Sequence, residues 1–399
     1  MNRLMGIQRN AYSTGVAFKH ILVVAIMLEW GLACLFAQES MLVPLQGQPK
    51  VTQLMRVVPD GIDFSVQGAD TVLRVRSQEL VRWGALVIPK NSHVLLSDGS
   101  VVVGETTQLD ESVAIVQSEL WGKLSIPRAI VLGIVWSVGP DLNEYWRFRN
   151  GLSKPLSSGV LQLENGDRLR GRLVRQDALT AECATGSDRL KIALSRLQFY
   201  RGESQQDGVV GAETRTVVGF RDGSLLVAAE LRVTERIDAE LCCGLSLRGP
   251  YVLTDKATGT QPQELVNYLR FDQPTIRYLS DIKPLGHKHI PYLTRTWDWG
   301  ANSNVLGLPL SSAPGQLYGR GIGMHSTARL AYAWEGIWDE FQAEVCLDES
   351  AGNQGSVKFR IFLKTPATKS WEQAFQSPIA RGGHEPLPIR LPLRGSVPL

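Results

Sequence analysis

Three stretches spread through the first two-thirds of the chain share one layout: LLSDGSVVVG (Leu95 to Gly104), QLENGDRLRG (Gln162 to Gly171) and GFRDGSLLVA (Gly219 to Ala228). In each, Asp-Gly or Asn-Gly stands between alternating apolar residues. This is the strongest short-range hairpin signal, because a tight turn needs positive φ angles that Gly, Asn and Asp tolerate. In the first two a second glycine follows five residues after the turn glycine, Gly104 after Gly99 and Gly171 after Gly166; the third has Ala228 there. The segments downstream also match. Ser112 to Gln117, a turn at Trp121-Gly122-Lys123 and Leu124 to Pro127 correspond to Leu179 to Cys183, Gly186 and Leu190 to Ile192. A more eroded copy occupies Val51 to Trp83, with Pro59-Asp60-Gly61 as its turn. Recurrence at roughly 40 to 65 residues, with about five short strands each time, predicts small barrel-like β units packed side by side. We place them at 51–136 and 159–268.

The last third keeps the period of two but changes its motifs. Ala328 to Trp334 alternates, with Leu330, Tyr332 and Trp334 on one side, and Phe341 to Leu347 does so again. The polar run DESAGNQG makes a turn, and Val357 to Leu363 is a further apolar strand. Ahead of them stands Gly319-Arg320-Gly321-Ile322-Gly323-Met324-His325-Ser326. No strand-then-helix unit surrounds these glycines, so they do not read as a dinucleotide loop.

The order YxRGIGxHS, then FxAxVxLDE, then GxxGSVxFRIF resembles the NPCBM/NEW2 module, a carbohydrate-binding module found beside glycoside hydrolases. The resemblance begins at Tyr278 to Pro284, passes through Trp297 and Val305-Leu306-Gly307, and continues to Arg381-Gly382-Gly383. It implies a jelly-roll β-sandwich of the galactose-binding type over 269–399. Members of that family usually continue with a further strand and a closing D-H-x-D-W pattern, whereas this sequence stops at Leu399. The expectation is a C-terminally shortened module, or one whose last strand comes from elsewhere, with a sheet edge and part of its core uncovered. The upstream units look similar to the SH3- or Sm-like repeats that precede this module in related secreted proteins.

Arg3, Arg9, Lys19 and His20 precede an apolar run from Ile21 to Leu28, a second run follows at Gly31 to Ala37, and Ala37-Gln38 is a suitable cleavage point. This predicts a signal peptide over 1–37 and export to the periplasm, cell surface or outside. Glu29 interrupts the apolar run, so no membrane span is expected after cleavage. Export leaves Cys183, Cys242, Cys243 and Cys346, whose spacing matches neither a disulfide scaffold nor a metal site; buried unpaired thiols are expected, with Cys242 and Cys243 on opposite faces of a strand. A net charge of +3 over 399 residues supplies no basic stripe, so no nucleic-acid partner is expected. The connector around Tyr145, Trp146 and Phe148 is expected to dock against its neighbour, although these aromatics could also bind a ligand.

The chain has no GxSxG, HExxH or CxxC motif, so no catalytic residues are assigned and an enzyme is not expected. His287 and His289 share one side of a strand, yet with no third ligand spaced nearby they read as surface histidines. Sugar binding asks for less: an aromatic ring against the apolar face of a pyranose, with planar polar groups reading the hydroxyls. The candidates are Trp297, Trp299, Tyr318, Arg320, His325, Trp338 and Asp348, with Trp334, on the same predicted strand as Tyr332, expected in the core. His325 either holds its loop or touches ligand. Asp348 and Glu349 either cap the turn they open or help to hold a structural calcium; no other cofactor is expected. The resulting expectation is an exported non-catalytic carbohydrate-binding protein with a polysaccharide or glycan as partner. The alternatives are a scaffold that binds envelope proteins and the binding part of a split glycoside hydrolase.

Overall fold

The computed structural model describes residues 40–58, 61–68, 71–139, 141–152, 156–203, 215–234, 236–251, 265–313, 316–333, 338–364 and 370–393. The expected signal peptide and Trp334 lie outside these residues. Within them the protein is all-β and antiparallel in every strand pair, with one α-helix, Leu142–Gly151. No helix among the described residues is long and apolar enough to cross a membrane.

The turn-centred stretches form as their chemistry demands. Gly99, Gly166 and Gly223 have φ of 91°, 87° and 93°, and the residue before each glycine turns its side chain back onto the backbone. Ser100 N–H donates to Asp98 at 2.8 Å, Asp167 N–H to Asn165 at 3.2 Å, and Ser224 N–H to Asp222 at 2.8 Å. The recurring second glycine has a different reason. A Cβ on Gly104 would lie 2.7 Å from both Gln117 O and Val116 Cγ1, and one on Gly171 would lie 2.5 Å from Ala184 O and 2.7 Å from Cys183 Sγ. Here the chain leaves one sheet for another, and only a residue without a side chain lets the backbones approach.

The same order of elements appears twice. Strands His93–Leu96, Val101–Val103, Glu105–Leu109, Val113–Ser118 and Gly122–Pro127 lead through a 3₁₀ turn to Val131–Val135. Strands Val160–Leu163, Arg168–Arg170, Arg172–Gln176, Thr180–Thr185 and Asp188–Ala193 lead through another to Leu197–Arg201. These segments are joined in two sheets. Val131–Val135 pairs with Leu197–Arg201 in a 16-stranded sheet, and Glu105–Leu109 meets Arg172–Gln176 in a six-stranded one. Further along the larger sheet, Leu225–Val233, Arg215–Phe220, Val266–Asp272, Leu80–Gly84, Ser40–Pro44 and Lys50–Val58 follow in order. Val57 then pairs back with Val233, so six strands close into a ring.

One apolar core runs through this region, with Trp83, Phe64, Tyr200, Phe220, Leu54 and Leu80 among its fully buried side chains. The aromatic connector is the helix Leu142–Gly151, capped by Asp141, which accepts from Asn143 N–H at 2.9 Å. Its Tyr145 is fully buried, and Phe148 stacks on Phe199 with ring centres 4.7 Å apart, so these aromatics dock rather than face solvent. Beneath them His93 is buried, which pushes its imidazole down to about 4 and keeps it neutral. Cys183 is buried and Cys242, Cys243 and Cys346 are half-buried, all as free thiols. Cys242 and Cys243 lie in the turn after Arg236–Leu241, not in a strand as their neighbours suggested.

Leu269, where the sequence suggested that the C-terminal module opens, sits inside Val266–Asp272 and pairs with Val218 and Trp83 of the large sheet. Beyond it the strands among the described residues form six antiparallel pairs. Gly286–His289 pairs with Ala328–Ala331, Gly300–Ala301 with Ile322–Gly323, and Leu310–Ala313 with Gln316–Tyr318. Glu340–Val345 pairs with Leu387–Pro392, Ser356–Val357 with Ala380–Arg381, and Arg360–Lys364 with Trp371–Gln376. Burial here is thinner: among the described residues after 275, only Ile389 and Leu393 are buried apolar side chains.

Candidate functional site

Beside the ribbon of Gly286–His289 and Ala328–Ala331, the rings of His289, His325 and Trp297 come together. His287 and His289 alternate to the same side of their strand, as a period of two requires. The chain leaves His289 through a loop and returns at Trp297, whose backbone N–H donates to His289 Nδ1 at 3.0 Å. An imidazole that accepts at Nδ1 while neutral carries its proton on Nε2, so this bond fixes both the ring and the start of the next segment.

Three planar groups meet at Trp297. His325 lies parallel to the indole, with ring centres 5.5 Å apart and 2° between planes. His289 stands edge-on to His325 at 5.1 Å. The guanidinium of Arg295 sits 4.0 Å from the centre of the Trp297 ring, a cation held against the negative face of the indole. Asp298, beside Trp297, is 3.4 Å from His287 Nδ1. Trp297 is half-buried, whereas Arg295 and His325 are exposed. The group therefore offers solvent the His325 imidazole and the Arg295 guanidinium, both held against the indole of Trp297.

The remaining candidates are placed elsewhere and hold the chain together. Tyr318 donates its hydroxyl to Ser312 Oγ at 3.3 Å, and the Arg82 guanidinium lies 5.4 Å from its ring centre. Arg320 bonds Asp281 at 2.5 Å and lies over Tyr278, whose hydroxyl burial holds up to about 12. Asp272, the last residue of the strand Val266–Asp272, is 3.9 Å from Arg320 and takes two bonds of 2.7 and 2.9 Å from the buried Arg270. The glycine between Tyr318 and Arg320 belongs to the same contact: a Cβ on Gly319 would meet Leu86 at 3.1 Å and Arg270 at 3.2 Å. The motif Tyr-Gly-Arg thus seats the C-terminal segment on the large sheet.

Asp348 caps the 3₁₀ turn Glu349–Ala351, accepting from Ser350 N–H at 3.1 Å and Oγ at 2.5 Å. It also accepts from Asn304 Nδ2 at 2.9 Å and Ser311 N–H at 3.2 Å, while Glu349 accepts from Ser311 Oγ at 2.8 Å. Its oxygens thus tie the loop at Asn304 to the turn. Among the described residues no three His, Cys, Asp or Glu side chains are grouped as a metal site. Trp299 and Trp338 are half-buried, Trp299 next to the ring cluster in sequence and Trp338 just before the strand Glu340–Val345.

Of the seven candidates, then, Trp297 and His325 come together, Tyr318, Arg320 and Asp348 serve internal bonds, and Trp299 and Trp338 are partly covered. Sequence reading passed over Arg295, over His289 as a support for Trp297, and over Tyr292, the fully exposed aromatic of the same loop. One signal did point there: between Ile282 and Trp297 the chain carries Lys283, Lys288 and Arg295 and no acidic residue.

Comparison with protein families matches residues 276–399 to the NPCBM/NEW2 domain. That family is a carbohydrate-binding module rather than a catalytic domain, and its match covers the ring cluster and all seven candidate residues. No curated protein and no solved structure matches the chain.

Proposed function

We propose that this is an exported, non-catalytic carbohydrate-binding protein whose sugar site is the surface built by Trp297, His325 and Arg295. The observation that carries the reading is the NPCBM/NEW2 match over 276–399, because it joins a carbohydrate-binding family to the segment that holds the ring cluster. The chemistry agrees with it. An exposed imidazole or phenol ring suits the apolar C–H face of a pyranose, and guanidinium and imidazole N–H groups donate to its hydroxyl and ring oxygens. The His289 bond holds the Trp297 backbone in place before any ligand arrives, which limits the ordering cost of binding. The leader with Arg3, Arg9 and Lys19 ahead of Ile21 to Leu28 supports export.

The test is a screen of the full chain against a glycan array and insoluble polysaccharides. Selective retention on a defined glycan is the expected result. A folded chain that binds none would overturn the reading and favour the interaction scaffold, for which the exposed Leu285, Tyr292 and Leu293 would be the natural contact.

A further inference from the structure

We infer that the glycan taken by this site is acidic, a polysaccharide bearing carboxylate or sulfate groups, with Arg295 as the residue that reads the anion. The inference rests on the carbohydrate-binding reading and names its ligand class.

The first observation is how Arg295 is held. Its guanidinium stacks 4.0 Å from the Trp297 ring centre and is exposed, and it pairs with no carboxylate among the described residues. A guanidinium that lies on a ring by its face keeps its N–H edges free for an anion. Those edges form a rigid fork that matches a carboxylate or sulfate with two parallel bonds. The acid nearest in sequence, Asp298, lies instead beside His287 at 3.4 Å. An arginine already fixed by an aromatic ring also gives up little freedom on binding an anion.

The second observation is independent of the first. On the ribbon beneath the loop, Lys288 stands directly opposite Arg329, and both are exposed. Residues opposite one another in an antiparallel pair share a face, so two like charges sit side by side, an arrangement that costs stability unless an anion lies over it. With Lys283 and Arg295 they outnumber Asp298, the acid beside His287, and give the ribbon and its loop a net positive field. Lys288 and Arg329 face away from the side that carries His287 and His289, so the field surrounds the ribbon rather than marking one side. Repeated anions along a polymer chain match such a field better than a single charged sugar does.

Tyr292 adds an aromatic group to the loop. It is 100% exposed, three residues before Arg295 on the same loop, and supplies a second ring for stacking along an extended chain.

The experiment measures binding of the full chain to polygalacturonate and to a sulfated galactan, with a neutral galactan as the matched control, at two salt concentrations. Arg295→Gln and a Lys288→Gln/Arg329→Gln double variant run alongside. The inference expects at least tenfold preference for the acidic polymers at low salt, a preference that shrinks as salt rises, and loss of most of it in Arg295→Gln at unchanged thermal stability. The double variant should weaken acidic binding less than Arg295→Gln and flatten its salt dependence. Equal binding of neutral and acidic galactans, unaffected by Arg295→Gln, would overturn the acidic assignment while leaving carbohydrate binding intact. Failure to bind any polysaccharide would overturn both, and capture by phosphatidylglycerol vesicles in that case would assign the loop to a lipid surface instead.

Discussion

The charge knot at Asp63 gives the sharpest stability test. Asp63 lies in the strand Gly61–Val66, directly across from Arg56 on one neighbouring strand and Arg74 on the other. Arg74 donates to its carboxylate at 2.6 and 2.9 Å, Arg56 at 2.5 and 3.0 Å, and the Asp63 side chain is only 6% exposed. The Arg74 bonds above all, opposed by burial and helped by Arg56, hold the carboxyl down at about 2 against its ordinary 3.8. At about 1.36 kcal/mol per unit the full difference is about 2.4 kcal/mol. Both guanidiniums are half-exposed, at 49% and 50%, and screening reduces the expected contribution to about 1–2 kcal/mol. The sign follows from a folded value below the unfolded one. The contribution is fully present above about pH 4, is near half its size by about pH 3, and is almost gone at about pH 2. Asp63→Asn should therefore lower unfolding free energy in urea by about 1–2 kcal/mol at pH 6, with the gap to wild type closing between about pH 4 and pH 2 as Asp63 itself becomes neutral. A gap of constant size across that range would refute the reasoning, because it would mean that shape and not charge sets the contribution.

Other consequences follow from packing and burial. Gly171→Ala should destabilise by about 1–3 kcal/mol in a urea titration, since its Cβ would meet Ala184 O at 2.5 Å and Cys183 Sγ at 2.7 Å, whereas Gly166→Ala fails only through its φ of 87°. Tyr145→Ala, which empties the pocket between His93, Trp146 and Phe199, should cost about 3–5 kcal/mol and expose the His93 imidazole to titration by NMR. Burial pushes the Cys243 thiol up to about 12 and Cys346 up to about 11, so both should react with a thiol reagent at pH 8 far more slowly in the native protein than in urea.

How much of this was legible in the sequence depends on the range of the interaction. The turns at Gly99, Gly166 and Gly223 could be read because two or three adjacent residues fix them. The recurrence of Gly104 and Gly171 was visible, but its cause, the approach of Gln117 and Ala184, lies in partner strands. The helix Leu142–Gly151 was read only as a docking connector, since its aromatics at Tyr145, Trp146 and Phe148 follow neither a period of two nor a clear apolar stripe. Pairings such as Leu109 with Gln176 and Val57 with Val233 link segments far apart in sequence, and no local signal encodes them. The site divides in the same way. Trp297 and His325 stood out by residue type, but only the ribbon register brings them together and adds His289 and Arg295. Arg320 and Asp348 looked like ligand readers because their bonds to Asp281, Asn304 and Ser311 span tens of residues and leave no trace in spacing.

The central claim is that Trp297 forms the sugar surface while Arg320 only seats the segment that carries it. Titration calorimetry of the full chain against its best glycan, with Trp297→Ala and Arg320→Gln compared at matched folding by circular dichroism, tests it directly. The account predicts at least a tenfold loss of affinity, about 1.4 kcal/mol or more, for Trp297→Ala and an affinity within about twofold of wild type for Arg320→Gln. Undiminished binding by a folded Trp297→Ala protein would contradict it.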